Sequence, residues 1–210
     1  MRRPSPRLIL GLILLVTALI RFWNLGTPDK LVFDEVYYVD GAKDYLNGGV
    51  ETTNGEPEFI VHPPVGKWLI ALGIQILGDS PAGWRFSAAL FGTLSILLIY
   101  LVALRLFNSR FLALVSAGLM SIDGLHLVMS RTALLDIFLM FFLLAAFLAL
   151  LHDRHIVAAL LLGLALGTKW SAVYFIAALV IYLGVTNRKK VLLYLPIIPI
   201  TYLFTWGGWL

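Results

Sequence analysis

The chain has 210 residues, of which 60% are hydrophobic and 13% are charged, and its mean hydropathy is +0.90. Soluble domains contain about 45–50% apolar residues, and the excess here lies in long blocks such as 8–19, 88–104 and 137–151. The absence of cysteine excludes disulfide and thiolate chemistry. The formal charge of +4 does not indicate nucleic acid, because membrane proteins collect Lys and Arg in cytoplasmic loops.

The apolar blocks predict an all-α transmembrane bundle of about seven spans. Residues 8–26 are predicted to form an uncleaved first span, because no small-x-small cleavage site follows them. Residues 27–80 are predicted to form the first extracytoplasmic loop, with interfacial helices at about 35–46 and 65–78. The later spans are predicted at about 84–106, 111–126, 133–151, 156–168, 171–186, and from 191 to the end.

The basic residues give an orientation. With the N-terminus in the cytoplasm, every cytoplasmic segment is basic. These segments carry Arg2, Arg3, Arg7, Arg105, Arg110, Arg154, Arg188, Lys189 and Lys190. We therefore expect a multi-pass protein of the cell membrane, or of the endoplasmic reticulum membrane if it is eukaryotic. No polar tail closes the last span, so we expect the chain to be the N-terminal part of a longer protein.

Two motifs lie in the first outer loop. Residues 32–38 (VFDEVYY) contain Asp34 and Glu35, which point about 100° apart on a helix. One carboxylate could therefore act on a substrate while the other orients a neighbour; a solvated acidic helix start is the alternative. Residues 60–68 (IVHPPVGKW) contain His62, a candidate partner, base or ligand, and Lys67, which could instead be a snorkelling lysine.

A third set of ionisable residues lies at the outer helix ends. Its members are Arg85, Arg131, Asp136 and Lys169. The spacing of five between Arg131 and Asp136 makes a same-face ion pair poor, so each is expected to have another partner. Together with Lys67, the set places four cations on one side of the membrane. Because Arg and Lys bind phosphate through charge-assisted hydrogen bonds, the pattern indicates a ligand with a phosphate and an apolar tail, such as a polyprenyl phosphate.

These motifs resemble those of the protein O-mannosyltransferases, a family of polytopic GT-C glycosyltransferases. The matching features are Asp34-Glu35, residues 62–67 (HPPVGK), Trp84-Arg85, residues 130–136 (SRTALLD), Lys169-Trp170 and residues 205–209 (TWGGW). They follow the order of the family and cover most of the chain. The resemblance implies that residues 1–210 are the N-terminal part of a GT-C module, with the catalytic motif in residues 27–80.

The resemblance also implies a reaction. The family transfers mannose from a polyprenyl phosphate mannose to Ser or Thr of an exported protein. By resemblance, Asp34 is the catalytic base and Glu35 has a supporting role. The donor or its phosphate is expected to contact Lys67, Arg85, Arg131, Asp136, His62 and Lys169. No Asp-x-Asp motif is present, so no metal or other cofactor is expected. The expected partners are the lipid-linked donor, the exported acceptor protein, membrane lipids and the protein-export machinery, without nucleic acid.

Two alternatives remain open. The first is another GT-C transferase that uses a polyprenyl-phosphate sugar with a lipid or glycan acceptor. The second is a transporter or a non-enzymatic membrane subunit. Transporters typically place ionisable groups near the midplane of the membrane, in broken helices between repeats. Here the charges lie at outer helix ends and the sequence shows no repeat, which favours the enzyme.

Overall fold

The computed structural model describes residues 5–53, 56–57 and 61–209. These residues form an all-α fold, as predicted, with ten helices and one pair of two-residue strands. The helices are α1 Pro6–Phe22, α2 Glu35–Asn47, α3 Val65–Leu77, α4 Pro81–Phe107, α5 Arg110–Ile122, α6 Gly124–Met129, α7 Leu135–Leu151, α8 His155–Leu166, α9 Ala172–Thr186 and α10 Arg188–Phe204. The strands, β1 Thr52–Thr53 and β2 Glu56–Pro57, are antiparallel, with Thr52 opposite Pro57.

Short polar residues fix several helix starts. The Ser5 hydroxyl accepts a hydrogen bond from the Leu8 amide at the start of α1. Ser80 and Ser109 cap α4 and α5 in the same way. Each cap satisfies an amide that lacks a carbonyl partner within the helix, which favours a helix start directly after the serine. Asn108, with a φ of 47°, ends α4 in the left-handed conformation.

One predicted span is divided. The span predicted at 111–126 consists of two helices, because the chain leaves the helical conformation at Asp123, where φ is −63° and ψ is 122°. The Asp123 carboxylate then accepts a hydrogen bond from the His126 amide at 2.7 Å and starts α6. The expectation of a single continuous helix was wrong at this point, since one capping side chain outweighs the apolar pattern around it.

The centre of the bundle is α4, which packs against α1, α3, α5 and α7. Small residues allow this close packing, as is common between membrane helices. Ala88 and Ala89 are fully buried, and a Cβ atom added at Gly92 would lie 2.6 Å from the Cβ atom of Ser130. Phe91 packs edge-to-face on Phe138 of α7, with ring centroids 5.4 Å apart. In the rest of the bundle, α8 packs between α7 and α10.

Among the described residues, α4 is the one helix that is both long and apolar enough to cross a bilayer by length and composition. Five shorter helices, α3, α5, α7, α8 and α9, are also apolar. On α1, Leu8, Leu12, Leu15 and Leu19 are each more than half exposed. Leucines on the outside of a helical bundle are suited to contact with lipid chains.

Candidate active site

The adjacent carboxylates Asp34 and Glu35 lie in different environments at the start of α2. Asp34 precedes the helix and is half-buried, whereas Glu35 is fully buried. The Glu35 carboxylate accepts hydrogen bonds from the amides of Val32 at 2.9 Å and Ala133 at 2.8 Å, and from two nitrogens of Arg85. Its oxygens are therefore occupied, and Asp34 is the carboxylate that remains accessible.

Arg85 anchors the loop between α1 and α2 on α4. Its guanidinium donates to Glu35 at 2.8 and 2.9 Å and also to the carbonyl oxygens of Leu25, Pro28 and Lys30. Only 1% of the residue is exposed. The sequence predicted that Arg85 contacts a donor phosphate. The geometry does not support that role, because protein acceptors occupy all three of its nitrogens.

Arg131 also has a structural partner. One of its terminal nitrogens donates to the carbonyl oxygens of Ile20 at 2.7 Å, Arg21 at 3.0 Å and Trp23 at 2.8 Å. The last carbonyls of a helix lack partners and carry partial negative charge, so a guanidinium is well suited to cap them. Arg131 thus caps the C-terminal end of α1, and its contact with a donor phosphate stays a prediction.

The remaining predicted residues surround or adjoin a cavity of about 290 Å³. Its walls come from α2, the segment before α3 and the first turn of α3. The lining residues are Asp34, Tyr37, Tyr38, Asp40, Gly41, Glu51, Val61, His62 and Lys67. The cavity therefore brings together three residues that the sequence singled out separately, namely Asp34, His62 and Lys67.

Lys67 is paired with a residue that the sequence analysis missed. Its ammonium group donates to the Glu51 carboxylate, and the two residues are only 3% and 6% exposed. Gly41 makes room for the pair, since a Cβ atom there would lie 2.7 Å from a Glu51 carboxylate oxygen. Glu51 lies in a polar stretch of the sequence, and polar stretches are expected to be exposed to solvent. A buried lysine needs a counter-charge, and this need at Lys67 could have pointed to an acidic residue such as Glu51.

Asp136 and Lys169 form a second ion pair beside the cavity. The Lys169 ammonium nitrogen lies 2.8 and 2.9 Å from the two oxygens of Asp136. Asp136 is in the first turn of α7, and Lys169 is in the turn between α8 and α9. The expectation that Arg131 and Asp136 have separate partners is therefore confirmed. The Lys169 side chain is 23% exposed, so its charge remains accessible to a ligand.

Backbone contacts hold this second pair against the cavity. The Val65 amide donates to the Gly167 carbonyl oxygen at 2.9 Å, which ties the start of α3 to the α8–α9 turn. A Cβ atom at Gly66 would collide with the side chain of Leu135 and lie 3.3 Å from a methyl group of Thr168. The glycine thus allows α3 to approach α7 and the turn closely without displacing the Leu135 side chain.

The electrostatic effects on two side chains show that these groups share one neighbourhood. Burial lowers the pKa of His62, and the positive charges of Lys169 and Lys67 lower it further. Burial also raises the pKa of Tyr38 to about 12, with additional contributions from Asp34 and Asp136. The rings of Tyr38 and His62 lie 5.9 Å apart. His62 is therefore neutral at pH 7 and Tyr38 keeps its proton.

This arrangement can support two kinds of chemistry. A half-buried carboxylate such as Asp34 can accept a proton from a hydroxyl nucleophile. The ammonium groups of Lys67 and Lys169 can bind an anion and stabilise charge that develops on it.

The backbone identifies the class of fold. It superimposes on the Saccharomyces cerevisiae protein O-mannosyltransferase Pmt1–Pmt2 complex bound to the sugar donor with a TM-score of 0.74, covering 99% of this chain and 32% of that one at 23% identity. It superimposes on ArnT from Cupriavidus metallidurans in the apo state with a TM-score of 0.77, covering 98% and 42% at 19% identity. The fold is thus that of the GT-C membrane glycosyltransferases.

Sequence comparison defines the family. A family model described as dolichyl-phosphate-mannose-protein mannosyltransferase matches residues 61–206, and a second with the same description matches residues 11–85. The polyprenol-phosphate-mannose–protein mannosyltransferases of Mycobacterium tuberculosis and Mycolicibacterium smegmatis are 37% and 38% identical over 87% and 79% of this chain. The chain belongs to the dolichyl-phosphate-mannose–protein mannosyltransferase family, whose members are membrane proteins. It spans 42% and 39% of the length of these two relatives.

Proposed function

We propose that the protein containing this chain transfers mannose from a polyprenyl phosphate mannose donor to Ser or Thr hydroxyls of exported proteins. The observation that carries the proposal is that the half-buried Asp34 and the buried Lys67 line the same cavity. The relatives from Mycobacterium and Mycolicibacterium, which are named for this donor and a protein acceptor, support the assignment.

In this proposal, Asp34 is the general base. A Ser or Thr hydroxyl is a weak nucleophile until a base accepts its proton. The hydroxyl oxygen bonds to the anomeric carbon as the bond to the phosphate oxygen breaks, and the proton passes to Asp34. A single displacement of this kind inverts the anomeric centre, whereas retention would need a carboxylate nucleophile beneath the sugar. Glu35 supports the base by fixing the start of α2 against Arg85.

The leaving phosphate is assigned to the lysines. Lys67 and Lys169 each carry a positive charge that a carboxylate, Glu51 or Asp136, holds in place. His62 is neutral and has one ring N–H to donate, and its Nδ1 atom has no hydrogen-bond partner among the described residues. A phosphate near His62 would therefore meet two cations and one neutral donor. The proposal assigns no metal or other cofactor to the site.

The proposal includes a membrane orientation. Seven spans with the N-terminus in the cytoplasm would place α2 and α3 on the extracytoplasmic side of the cell membrane, or in the lumen of the endoplasmic reticulum. The donor would then reach the cavity from the outer leaflet, and the protein-export machinery would deliver the acceptor to the same side. The basic segments near Arg110, Arg154 and Lys189 support this orientation.

The test is mannose transfer to a Ser/Thr peptide by the full-length protein, with Asp34→Asn compared to Asp29→Asn. Asp29 is an exposed carboxylate of the same loop and serves as the matched control. We expect Asp34→Asn to lower turnover by about 10²–10⁴-fold, the usual cost of losing a general base. We expect Asp29→Asn to retain wild-type turnover.

Near-normal turnover by the Asp34→Asn enzyme would remove Asp34 from the mechanism. Polyprenyl phosphates that carry other sugars, and lipid acceptors, should be tested in parallel. Transfer of another sugar, or transfer to a lipid in preference to the peptide, would instead identify a different GT-C transferase.

A further inference from the structure

A chain of hydrogen bonds leads from the turn after α10 to the cavity. The indole N–H of Trp209 donates to the Tyr45 hydroxyl oxygen at 3.3 Å. The Tyr45 hydroxyl donates to one oxygen of Glu51 at 3.0 Å, and the Lys67 ammonium group donates to the other oxygen. The direction of donation is consistent throughout, so all four side chains can hold these contacts at once.

Packing around these hydrogen bonds holds the participating side chains in place. The rings of Tyr45 and Trp68 meet edge-to-face with centroids 6.2 Å apart, which fixes the tyrosine ring. A Cβ atom at Gly208 would lie 2.5 Å from the carbonyl oxygen of Gly49, so the turn after α10 packs directly on the loop before Glu51. The turn therefore contacts both the tyrosine and the loop that carries the carboxylate.

The geometry leaves Lys67 able to bind a second anion. A carboxylate has two oxygens, and the tyrosine occupies the one that faces away from the lysine. Glu51 therefore presents a single oxygen to the ammonium group. An ammonium group has three N–H donors, and among the described residues Glu51 is the one acceptor that Lys67 contacts. Two donors remain for a ligand in the cavity that Lys67 lines.

We propose that Glu51 and Tyr45 are positioning residues that hold the Lys67 ammonium group toward the cavity, with Trp209 fixing the tyrosine from the turn after α10. This inference rests on the proposed function, in which Lys67 contacts the donor phosphate. Glu51 touches no substrate and acts only through the lysine. Residues 205–209 (TWGGW) thereby gain a role in donor binding, although Trp209 does not line the cavity.

The test is a double-mutant cycle on the full-length protein, read out as the KM for polyprenyl phosphate mannose. We expect Lys67→Met to raise this KM by about 10- to 100-fold, the usual effect of losing a charge-assisted hydrogen bond. We expect Glu51→Gln to raise it in the same direction in the wild-type background. In the Lys67→Met background it should add nothing, because its effect passes through the lysine.

Tyr45→Phe is the second variant, since it removes one hydroxyl without changing the packing. We expect it to raise the donor KM by about 3- to 10-fold, less than Lys67→Met because the hydroxyl acts on the donor only through Glu51 and Lys67, and to leave the acceptor KM unchanged. Tyr182→Phe, which removes a hydroxyl from an exposed tyrosine of α9, is the matched control and should behave as wild type. If Glu51→Gln does not accumulate in membranes, Tyr45→Phe decides.

The outcomes separate the two proposals. Equal costs of Glu51→Gln with and without Lys67 would overturn the positioning role, as would an unchanged donor KM in Tyr45→Phe. An unchanged donor KM in Lys67→Met, with turnover still lost in Asp34→Asn, would also overturn it while leaving the proposed base intact. If Asp34→Asn and Lys67→Met both transfer mannose normally, the cavity is not the active site. If the wild-type full-length protein transfers no mannose from this donor to the peptide, the proposed function itself fails.

Discussion

At the scale of single residues, the charge state of His62 follows from its neighbours. The imidazole is half-buried and lies near two ammonium groups, and both effects disfavour its protonated form. Its pKa is consequently lowered from the usual value of 6.5. A neutral histidine can donate from one nitrogen and accept at the other, so it can contact a phosphate without adding a third positive charge.

The lowered pKa predicts an acid sensitivity of the fold. Between the lowered pKa of the folded state and about 6.5, the unfolded chain binds more protons at this position than the folded one. The contribution of neutral His62 to stability is therefore complete above about pH 6.5 and declines as the pH falls through that window.

His62→Gln should reduce the loss of thermal stability between about pH 8 and about pH 5. His152→Gln, at an exposed histidine, should retain the wild-type loss; an identical profile for His62→Gln would contradict the assignment.

Single residues also show where sequence reasoning fails. The sequence placed Asp34, His62 and Lys67 on one side of the membrane, and these three line one cavity. The sequence analysis grouped Arg85 with these residues because a sequence shows the charge of a residue and its position at the end of a predicted span. The carbonyl acceptors that occupy a guanidinium are not visible, since they belong to irregular loop backbone. Only the folded loop shows that Arg85 has no free donor nitrogen.

At the scale of elements, helix limits could be predicted well and their interruptions could not. The helix expected at 35–46 is observed at Glu35–Asn47, because its ends follow from local polarity and glycine. The apolar segment at 65–78 forms α3 over Val65–Leu77. The break at Asp123 depends on a single capping side chain within an apolar run, and hydrophobic periodicity does not predict such a break.

The loop between α1 and α2 depends on the buried ion pair between α2 and α4. Glu35→Gln keeps the size of the side chain but leaves the Arg85 guanidinium without a counter-charge in a site that is 1% exposed. Breaking such a buried pair typically costs about 3–5 kcal/mol of stability. We expect the detergent-solubilised Glu35→Gln protein to unfold at a clearly lower temperature, with Asp34→Asn close to wild type. A Glu35→Gln protein that is inactive but unfolds at the wild-type temperature would show that Glu35 contacts substrate instead.

At the scale of the whole molecule, the site depends on contacts between distant parts of the chain. The hydrogen bond from Val65 to Gly167 brings the α8–α9 turn, and with it Lys169, against the start of α3. About a hundred residues separate the two ends of this contact, and no local pattern predicts it. The sequence could group Lys169 with the residues near α3 only because all of them are predicted to lie on the same side of the membrane. A role of the cavity in modifying exported proteins therefore depends on the membrane orientation of the chain.

The orientation can be tested with two introduced cysteines, because this chain contains no cysteine of its own. Position 29 lies in the loop between α1 and α2 and position 189 at the start of α10, and both positions are exposed, so Asp29→Cys and Lys189→Cys are suitable for labelling. The basic cluster at 188–190 is expected to stay in the cytoplasm. A membrane-impermeant maleimide should therefore label position 29 in intact cells, and position 189 only after the membrane is permeabilised. The parent chain should remain unlabelled in both conditions. Labelling of position 189 but not of position 29 in intact cells would place the cavity in the cytoplasm, where an exported acceptor could not reach Asp34.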